Sequence, residues 1–256
     1  NYAYFVNSSN ASLVIEDSVG GGKITNAGTT DRMLTLIQVN NGSFELKGGT
    51  LENTSSMGYA VFINSSAQLT MTDGEIKNTV NGGYAVYING TAGFTMEGGK
   101  VTQESTYSSS AAIYANNSAT SVSISGGEVV SNSMGVYAAF TPVSVTGGTF
   151  QTTIEPAAGN TVSVHSEGAV FYTFSESNNK IVDGEFTAPA LTKSYTQEEA
   201  SNLTVSGGTF DIQNIAASTN GNSKITISGG TFEKAVPDLD RYLDTDTEIQ
   251  IQPDGS

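Results

Sequence analysis

Apolar and polar residues alternate along short stretches of this chain, and each stretch leads into a glycine. In Leu69–Thr72, Val122–Ser125 and Ile225–Ser228 every second residue is apolar. A period of two is typical of a β-strand with one buried face, because successive side chains of a strand point to opposite sides. The pattern therefore predicts strands in these segments, and it does not follow the helical period.

The alternating stretch belongs to a unit that recurs through most of the chain. In every copy a glycine is followed two residues later by an apolar residue, and successive copies lie 21 to 36 residues apart. The glycines are Gly22, Gly49, Gly74, Gly99, Gly127, Gly148, Gly184, Gly208 and Gly230. Glycine tolerates a positive φ angle, which permits a sharp bend between two strands. A strand-only repeat of twenty-odd residues is typical of a solenoid.

A third strand is predicted in each unit, and two copies of it are almost identical: YAVFIN at 59–64 and YAVYIN at 84–89. We expect its aliphatic residues to point inward, so that Val61, Val86 and Ile113 stack about 4.8 Å apart in successive coils. Each coil must present the same surface to its neighbour, which explains the repeated segment. The asparagine after the strand, such as Asn64 or Asn89, is predicted to turn the chain and to hydrogen-bond between coils.

The glycine motifs resemble those of a known group of proteins. SGGEV at 125–129, TGGTF at 146–150 and SGGTF at 206–210 and 228–232 resemble the right-handed parallel β-helix repeats of the pectin-lyase-like superfamily. In particular, they resemble repeats of large cell-surface or secreted proteins of gut-dwelling bacteria. The resemblance implies a fold but no single function, because this superfamily contains lyases, hydrolases, adhesins and passive stalks.

We therefore predict an all-β chain, with a right-handed parallel β-helix (β-solenoid) of about nine coils over 1–234 and insertions near 151–182 and 187–202. Thr196 and Glu199, in the second insertion, have the spacing of a helical capping box. Residues 235–256 leave the repeat and are predicted to form a C-terminal cap. Within this cap we expect a brief helix at Pro237–Leu243 and an edge strand at Glu248–Gln252, because a solenoid needs polar ends.

The charge balance narrows the range of partners. Ten Lys and Arg against 25 Asp and Glu give a net charge of −15, which disfavours nucleic acid and anionic membranes as partners. No apolar run approaches the roughly 20 residues of a membrane-spanning helix, and the lack of cysteine excludes disulfides. No signal peptide is visible at Asn1, so we expect a mature or trimmed segment, located outside the cell or on a bacterial surface. The sequence makes no prediction of the oligomeric state.

Few residues match the catalytic chemistry of the superfamily that the chain resembles. Its pectate lyases use an Arg or Lys base with calcium-holding carboxylates, and the only arginines here are Arg32 and Arg241. Its galacturonases use clustered Asp and a Gly-His-Gly, and the single histidine, His165, lacks those surroundings. The alternative function is a polysaccharide lyase or glycoside hydrolase with a site near 151–185. Its candidate residues are Glu155, Glu167, Glu176 and Asp183, although solvated loop charges are the favoured interpretation.

Two further patterns are interpreted as ordinary surface. The acids Asp238, Asp240, Asp244 and Asp246 do not have the spacing of an EF-hand loop, so we predict a charged cap, no metal site and no cofactor, with a weak calcium site as the alternative. Columns of outward Ser and Thr are similar to flat faces that bind ice. Because these columns mix Ser with Thr and include Glu45 and Lys180, a solvated strand surface is the favoured interpretation.

The clearest candidate for function is an aromatic ladder on the third strand. Its residues stand between two inward positions, so by alternation they should point outward, one per coil. They are Phe62, Tyr87, Tyr114, Tyr137 and Phe171, with Phe5 upstream. Outward aromatic rings on a rigid surface can stack against sugars or a partner chain. The alternatives are that a loop covers the ladder or that its rings belong to the core.

From this ladder we predict a non-catalytic, adhesin-like module that binds a polysaccharide or a host glycoprotein.

Overall fold

A computed structural model describes residues 2–26, 34–55, 58–105, 107, 110–117, 120–153, 169–174, 178–194, 202–216 and 224–250. In these residues the chain forms nineteen β-strands and one four-residue 3-10 helix, η1. The strands of the first half are β1 (Tyr2–Ile15), β2 (Lys23–Asn26), β3 (Thr35–Asn53), β4 (Tyr59–Ile63), β5 (Gln68–Asn78), β6 (Tyr84–Asn89), β7 (Gly93–Met96), β8 (Lys100–Gln103) and β9 (Ala111–Asn116). Those of the second half are β10 (Ser121–Ile124), β11 (Glu128–Ser131), β12 (Met134–Ala139), β13 (Val143–Thr152), β14 (Ala169–Phe174), β15 (Asn178–Ser194), β16 (Asn202–Val205), β17 (Thr209–Ala216), β18 (Lys224–Ile227) and β19 (Thr231–Phe232), followed by η1 (Leu239–Tyr242).

The strands stack as three parallel faces around one core. Face A holds the segments that precede the glycine bends, such as β7, β10 and the start of β13, which pair in parallel register. Face B holds the segments after the bends, such as β8 and β11. Face C holds the third strands, including β4, β6, β9, β12 and β14. The long strands β3, β5, β13 and β15 run through bends and contribute to more than one face.

The predicted all-β fold and its parallel β-solenoid are confirmed. The number of coils is corrected: the solenoid has about six turns, whereas the glycine positions predicted about nine. A glycine motif marks one bend, and a full turn needs three faces and their connections. Several predicted coils contain segments outside the described residues, at 27–33, 154–168, 195–201 and 217–223. The right-handed path of the coil stays a prediction.

Columns of apolar side chains fill the interior. Val61, Val86 and Ile113 lie in register as predicted, and none of them is exposed to solvent. Burying apolar area at about 25 cal/mol per Å² is the main source of stability in such a column. Each coil therefore depends on its neighbours for its core, which accounts for the repeated sequence of face C.

The bends between faces A and B require glycine. Gly74 has a φ of 84° and Gly99 a φ of 76°, a left-handed conformation that residues with a Cβ rarely adopt. A Cβ on Gly74 would also lie 2.6 Å from the carbonyl oxygen of Gly49 in the preceding coil. The same crowding recurs at Gly99, where a Cβ would lie 2.7 Å from the carbonyl oxygen of Gly74. Close stacking of the coils thus excludes side chains from this column.

The predicted role of the asparagines after face C is corrected. The left-handed residue of the turn is the one after the asparagine: Ser65 has a φ of 54° and Gly90 a φ of 74°. Asn64 and Asn89 open the turn instead, and their carbonyls accept hydrogen bonds from the N–H groups three residues later, at 3.1 and 3.4 Å. Because the following residue adopts the positive φ, the asparagine side chain is not needed to permit it.

Amides of successive coils do bond one another. After face C the Asn41 Nδ2 donates to the Asn7 Oδ1 at 2.9 Å, as predicted for Asn7, and a longer series of bonded amides lies inside the rod at the end of face B. The Asn26 Nδ2 donates to the Asn53 Oδ1 at 2.5 Å, the Asn53 Nδ2 to the Asn78 Oδ1 at 2.6 Å, and the Asn78 Nδ2 to the Gln103 Oε1 at 3.1 Å. We call these four residues the amide ladder. Their amides also bond the backbone of the loops that lead to face C, as in Gln103 Nε2 to the Gly83 carbonyl at 2.5 Å. The ladder therefore fixes where the strands of face C begin.

The C-terminal segment covers the last coil, in part as predicted. The brief helix is confirmed as η1, and Leu243 beyond it forms a parallel bridge with Ile227. The predicted edge strand is wrong over 248–250, which is irregular, and 251–252 lie outside the described residues. In the second predicted insertion, 187–194 belong to β15, whereas Thr196 and Glu199 lie outside the described part of the chain.

Candidate ligand-binding surface

The outward direction predicted for the aromatic ladder is confirmed for four of its residues. Phe62, Tyr87, Tyr114 and Tyr137 follow one another in parallel register along face C, and each side chain is half-buried. The aliphatic residues next to them, such as Ile88, are fully buried. The alternation of the strand thus places one ring per coil on the outer side of the sheet.

The placement predicted for Phe171 is wrong. This side chain is fully buried, and its Cα lies in register with the core residue Val136, not with Tyr137. Tyr172 is the register partner of Tyr137, so the backbone register of this strand is shifted by one residue from the predicted alignment. The error arose because two aromatic residues stand side by side in this strand, and a shift by one residue moves a side chain to the other face.

Two outward tyrosines were missed by the sequence pattern. Tyr59 lies in register with Tyr84, and Val61 lies in register with Val86. The residue between the tyrosine and the valine is a fully buried alanine in both strands, Ala60 and Ala85. A strict period of two would place Tyr59 on the same side as Val61, inside the rod. The structure has two consecutive inward residues here, which turns Tyr59 and Tyr84 outward. In the sequence, the alanine that follows the tyrosine in both copies was the sign that this residue could point inward next to the valine.

The outward rings form one connected group, which we call the aromatic patch. It consists of Tyr59, Phe62, Tyr84, Tyr87, Tyr114 and Tyr137, and it extends over four successive strands of face C. At about 4.8 Å per strand, its length along the rod is roughly 14 Å.

Within the patch the rings stack on one another. The centroids of Phe62 and Tyr87 are 4.8 Å apart with an interplanar angle of 18°, and those of Tyr87 and Tyr114 are 4.9 Å apart at 24°. Tyr59 and Tyr84 are also stacked, at 5.7 Å and 9°. Rings stacked in this way cover each other's faces, so most of the patch presents ring edges outward.

The stacking is interrupted at the end of the patch. Tyr137 is tilted by 52° from Tyr114 at a centroid distance of 4.7 Å, so these two rings are in contact without lying parallel. At the opposite end, the register neighbour of Phe62 is Gln38, which carries no ring. The ring stack of the patch therefore begins at Phe62, and along the patch mainly ring edges face outward.

A small outer core supports the patch. Ala111 and Met134 are fully buried on the outer side of face C, and Tyr84 and Tyr137 pack against them. A ring that packs on a buried residue loses little further freedom when a ligand binds, so the surface is preorganised.

Burial keeps the tyrosine hydroxyls neutral. It raises the pKa of Tyr59, Tyr84 and Tyr114 above the ordinary value for tyrosine, and the neighbouring tyrosines raise the pKa of each further. A second phenolate close by would be a like charge, which disfavours ionisation. At neutral pH these residues therefore offer hydroxyl groups that can both donate and accept hydrogen bonds.

Most residues of the alternative catalytic hypothesis lie in segments outside the described part of the chain. Glu155, Glu167, Glu176, His165 and Arg32 lie outside the described residues. Asp183 is described, and its Oδ1 accepts a hydrogen bond from the Gly184 N–H at 2.8 Å. Arg241 lies in η1, with its guanidinium carbon 5.9 Å from the centre of the Tyr242 ring.

Two acidic side chains at the glycine bends bond the backbone. In a recess at the bends of the first coils, the Asp17 carboxylate accepts N–H groups of Val19, Gly20 and Gly22 at 3.2, 2.9 and 2.6 Å, which lower its pKa. Asp73, in the same recess, accepts the N–H of Gly74 at 2.7 Å. Among the described residues, no group of three or more His, Cys, Asp or Glu could hold a metal ion.

Comparison with known proteins gives no relative. No family model matches the chain, and no curated protein or solved structure matches it. The resemblance of the glycine motifs is supported as a parallel β-solenoid fold, while membership of the pectin-lyase-like superfamily stays a prediction. No helix in the described part of the chain is long and apolar enough to cross a membrane.

Proposed function

We propose that this chain is a non-catalytic β-solenoid module that acts outside the cell or on a bacterial surface and binds a glycan along the aromatic patch. The observation that carries the proposal is the patch itself: six mutually contacting rings, half-exposed, on the outer side of one rigid face. A contiguous aromatic surface on a soluble protein is typical of an interaction site.

The orientation of the rings suggests how a glycan would be held. Sugar rings carry apolar C–H faces and polar hydroxyl edges, so they need both kinds of partner. The outward ring edges of the patch can pack against C–H faces, and the phenol groups of Tyr87 and Tyr114 can hydrogen-bond sugar hydroxyls. The ligand would then lie along the rod and contact several coils at once.

Charge favours a neutral glycan. The chain has a net charge of −15, which repels uronate or sulfate groups over distances of about one Debye length, roughly 8 Å in physiological salt. None of the six patch residues is a carboxylate, whereas glycoside hydrolysis needs two carboxyl groups that flank the bond. The patch itself is therefore suited to binding without cleavage.

The first experiment is a glycan-array screen of the full chain, with an assay for reducing ends and unsaturated products on the same polysaccharides. We expect saturable binding to neutral glycans without product release. The double variant Tyr87→Ala/Tyr114→Ala should lose roughly 5- to 150-fold in affinity, since each aromatic contact is worth about 0.5–1.5 kcal/mol. The control is Tyr107→Ala, because Tyr107 is an exposed tyrosine outside the patch.

Unchanged binding by the double variant would show that the patch is not the site. Product release by the wild-type chain would instead favour the enzyme near 151–185.

A further inference from the structure

A second column of aromatic rings runs inside the rod and ends at the C-terminal cap. Phe150, Phe186, Phe210 and Phe232 occupy equivalent positions after the glycine bends of face B. Their centroids are 5.0, 5.0 and 4.9 Å apart, with interplanar angles of 16°, 10° and 19°. The column is a regular stack in which each ring covers the face of the next.

The stack stops at a cavity. Among the described residues, Phe232 contacts only one ring, that of Phe210, and its side chain is half-buried. Beyond it, between the last coil and the cap, lies a partly open cavity of about 500 Å³. Its apolar lining residues are Ile227, Phe232, Val236, Leu239, Leu243 and Ile249.

The position of this cavity beyond Phe232 and its apolar lining suit a flat apolar ring. A ligand ring stacked on Phe232 at about 5 Å would continue the ring spacing of the phenylalanine column. Aromatic pairs of this geometry contribute about 0.5–1.5 kcal/mol beyond their buried area. The aliphatic residues of the cap can pack against the opposite face. Thr247 and Gln250 at the rim supply hydrogen-bonding groups, which can orient one polar atom of a ligand.

The charges around the cavity disfavour an anionic ligand. Lys234 lines the cavity but is already ion-paired with Asp211. Glu248 lines the cavity itself, and the cap carries further acids close in sequence to the lining residues, namely Asp238, Asp240 and Asp244. A carboxylate or phosphate ligand would meet their negative potential.

We propose that the cavity under the cap is a binding site for an uncharged planar aromatic molecule, whose ring stacks on Phe232 as the next member of the phenylalanine column. The site is separate from the aromatic patch, which lies on the outer side of face C.

Indole is a suitable probe, because this chain contains no tryptophan and indole emission can be excited beyond the absorption band of tyrosine. We expect saturable binding with one indole per chain and a blue shift of the emission, confirmed by calorimetry. Cyclohexanol, which is apolar but not aromatic, should bind more weakly. Phe232→Leu, which removes the ring and keeps apolar volume, should weaken indole binding by up to about tenfold.

Two further variants test the site independently, in case Phe232→Leu disturbs the cap. Leu239→Phe adds volume inside the cavity and should exclude indole, while Tyr114→Ala alters only the aromatic patch and should bind indole as the wild type does. Thermal melting checks that each variant is folded. Absence of saturable binding would overturn the proposal. Unchanged binding by a folded Phe232→Leu or by Leu239→Phe, or loss of binding in Tyr114→Ala, would overturn it as well.

Discussion

Two columns of aromatic rings run along this rod, one inside and one outside, and their stacking is nearly the same. Phe150 and Phe186 in the interior are 5.0 Å apart at 16°, and Phe62 and Tyr87 on the surface are 4.8 Å apart at 18°. Both spacings follow the distance of about 4.8 Å between neighbouring strands. The geometry of stacking is therefore imposed by the backbone and does not distinguish a core column from a binding surface.

What separates the two columns is their contact with water. The inner column contains only phenylalanine, and three of its four rings are fully buried. The outer patch contains five tyrosines and one phenylalanine, and all six are half-buried. Tyrosine combines an apolar ring with a polar hydroxyl, which suits a surface that packs on one side and meets solvent or a ligand on the other. The outer rings thus keep a polar group where a ligand can reach it.

The largest expected effect is on stability when an inner ring is removed. Phe186→Ala should lower the free energy of unfolding by about 3–5 kcal/mol, because it leaves a cavity in the stack. Tyr87→Ala in the outer column should cost only about 1 kcal/mol, since water can fill the space. Urea unfolding of both variants measures the difference. Equal losses would mean that burial does not separate the two columns.

A smaller effect is expected at the bends that set the spacing of both columns. Gly74→Ala places a Cβ 2.6 Å from the Gly49 carbonyl oxygen at a φ of 84°, and it should cost about 2–3 kcal/mol. The matched control is Gly21→Ala, because Gly21 has a similar φ of 87° but nothing within 4 Å of the added Cβ. We expect this control to cost about 1–2 kcal/mol. Thermal melts compare the two, and an equal loss would show that the close approach of the coils is not restrictive.

The smallest expected effect is a loss of folding stability at high pH, caused by the tyrosines of the outer column and absent at neutral pH. A folded-state pKa raised by burial gives stability that is fully present below the unfolded value of about 10 and is lost as the pH rises above it. Tyr84, whose pKa is raised by burial and by Tyr114, should contribute at most about 1.4 kcal/mol per pH unit in that range. Urea unfolding between pH 8 and 12 measures this loss.

Tyr84→Phe is the matched variant, and its stability should fall less steeply above pH 10. Parallel curves for the variant and the wild type would contradict the buried tyrosine assignment.

The sequence was sufficient for the fold because the constraints that define it are periodic. Alternation of Leu69–Thr72 predicts a strand with one buried face, and the recurring glycines predict bends at which coils approach closely. The number of turns was not predicted correctly, because a glycine motif identifies one bend and not a closed coil.

The candidate site was predicted only where the strands are regular. Phe62, Tyr87, Tyr114 and Tyr137 follow the alternation, and their outward positions were predicted correctly. Phe171 was misplaced by one residue, and Tyr84 was missed because two inward residues follow it in succession. Local irregularities of this kind depend on packing between coils, which a single sequence does not display.

The amide ladder has a polarity that the rest of the core lacks. The amide nitrogens of Asn26, Asn53 and Asn78 each donate to the amide oxygen of the ladder residue in the next coil, always toward the C-terminus. The Gln103 Nε2 ends the series on the Gly83 carbonyl. The four amide dipoles therefore point the same way, and each bond polarises the next. Reversing one amide in the middle would oppose donor to donor on one side and acceptor to acceptor on the other. Reversing all four amides would restore the bonds between them but would set the Gln103 Oε1 against the Gly83 carbonyl. The interior of the rod therefore has a direction of its own, set by side chains as well as by the backbone.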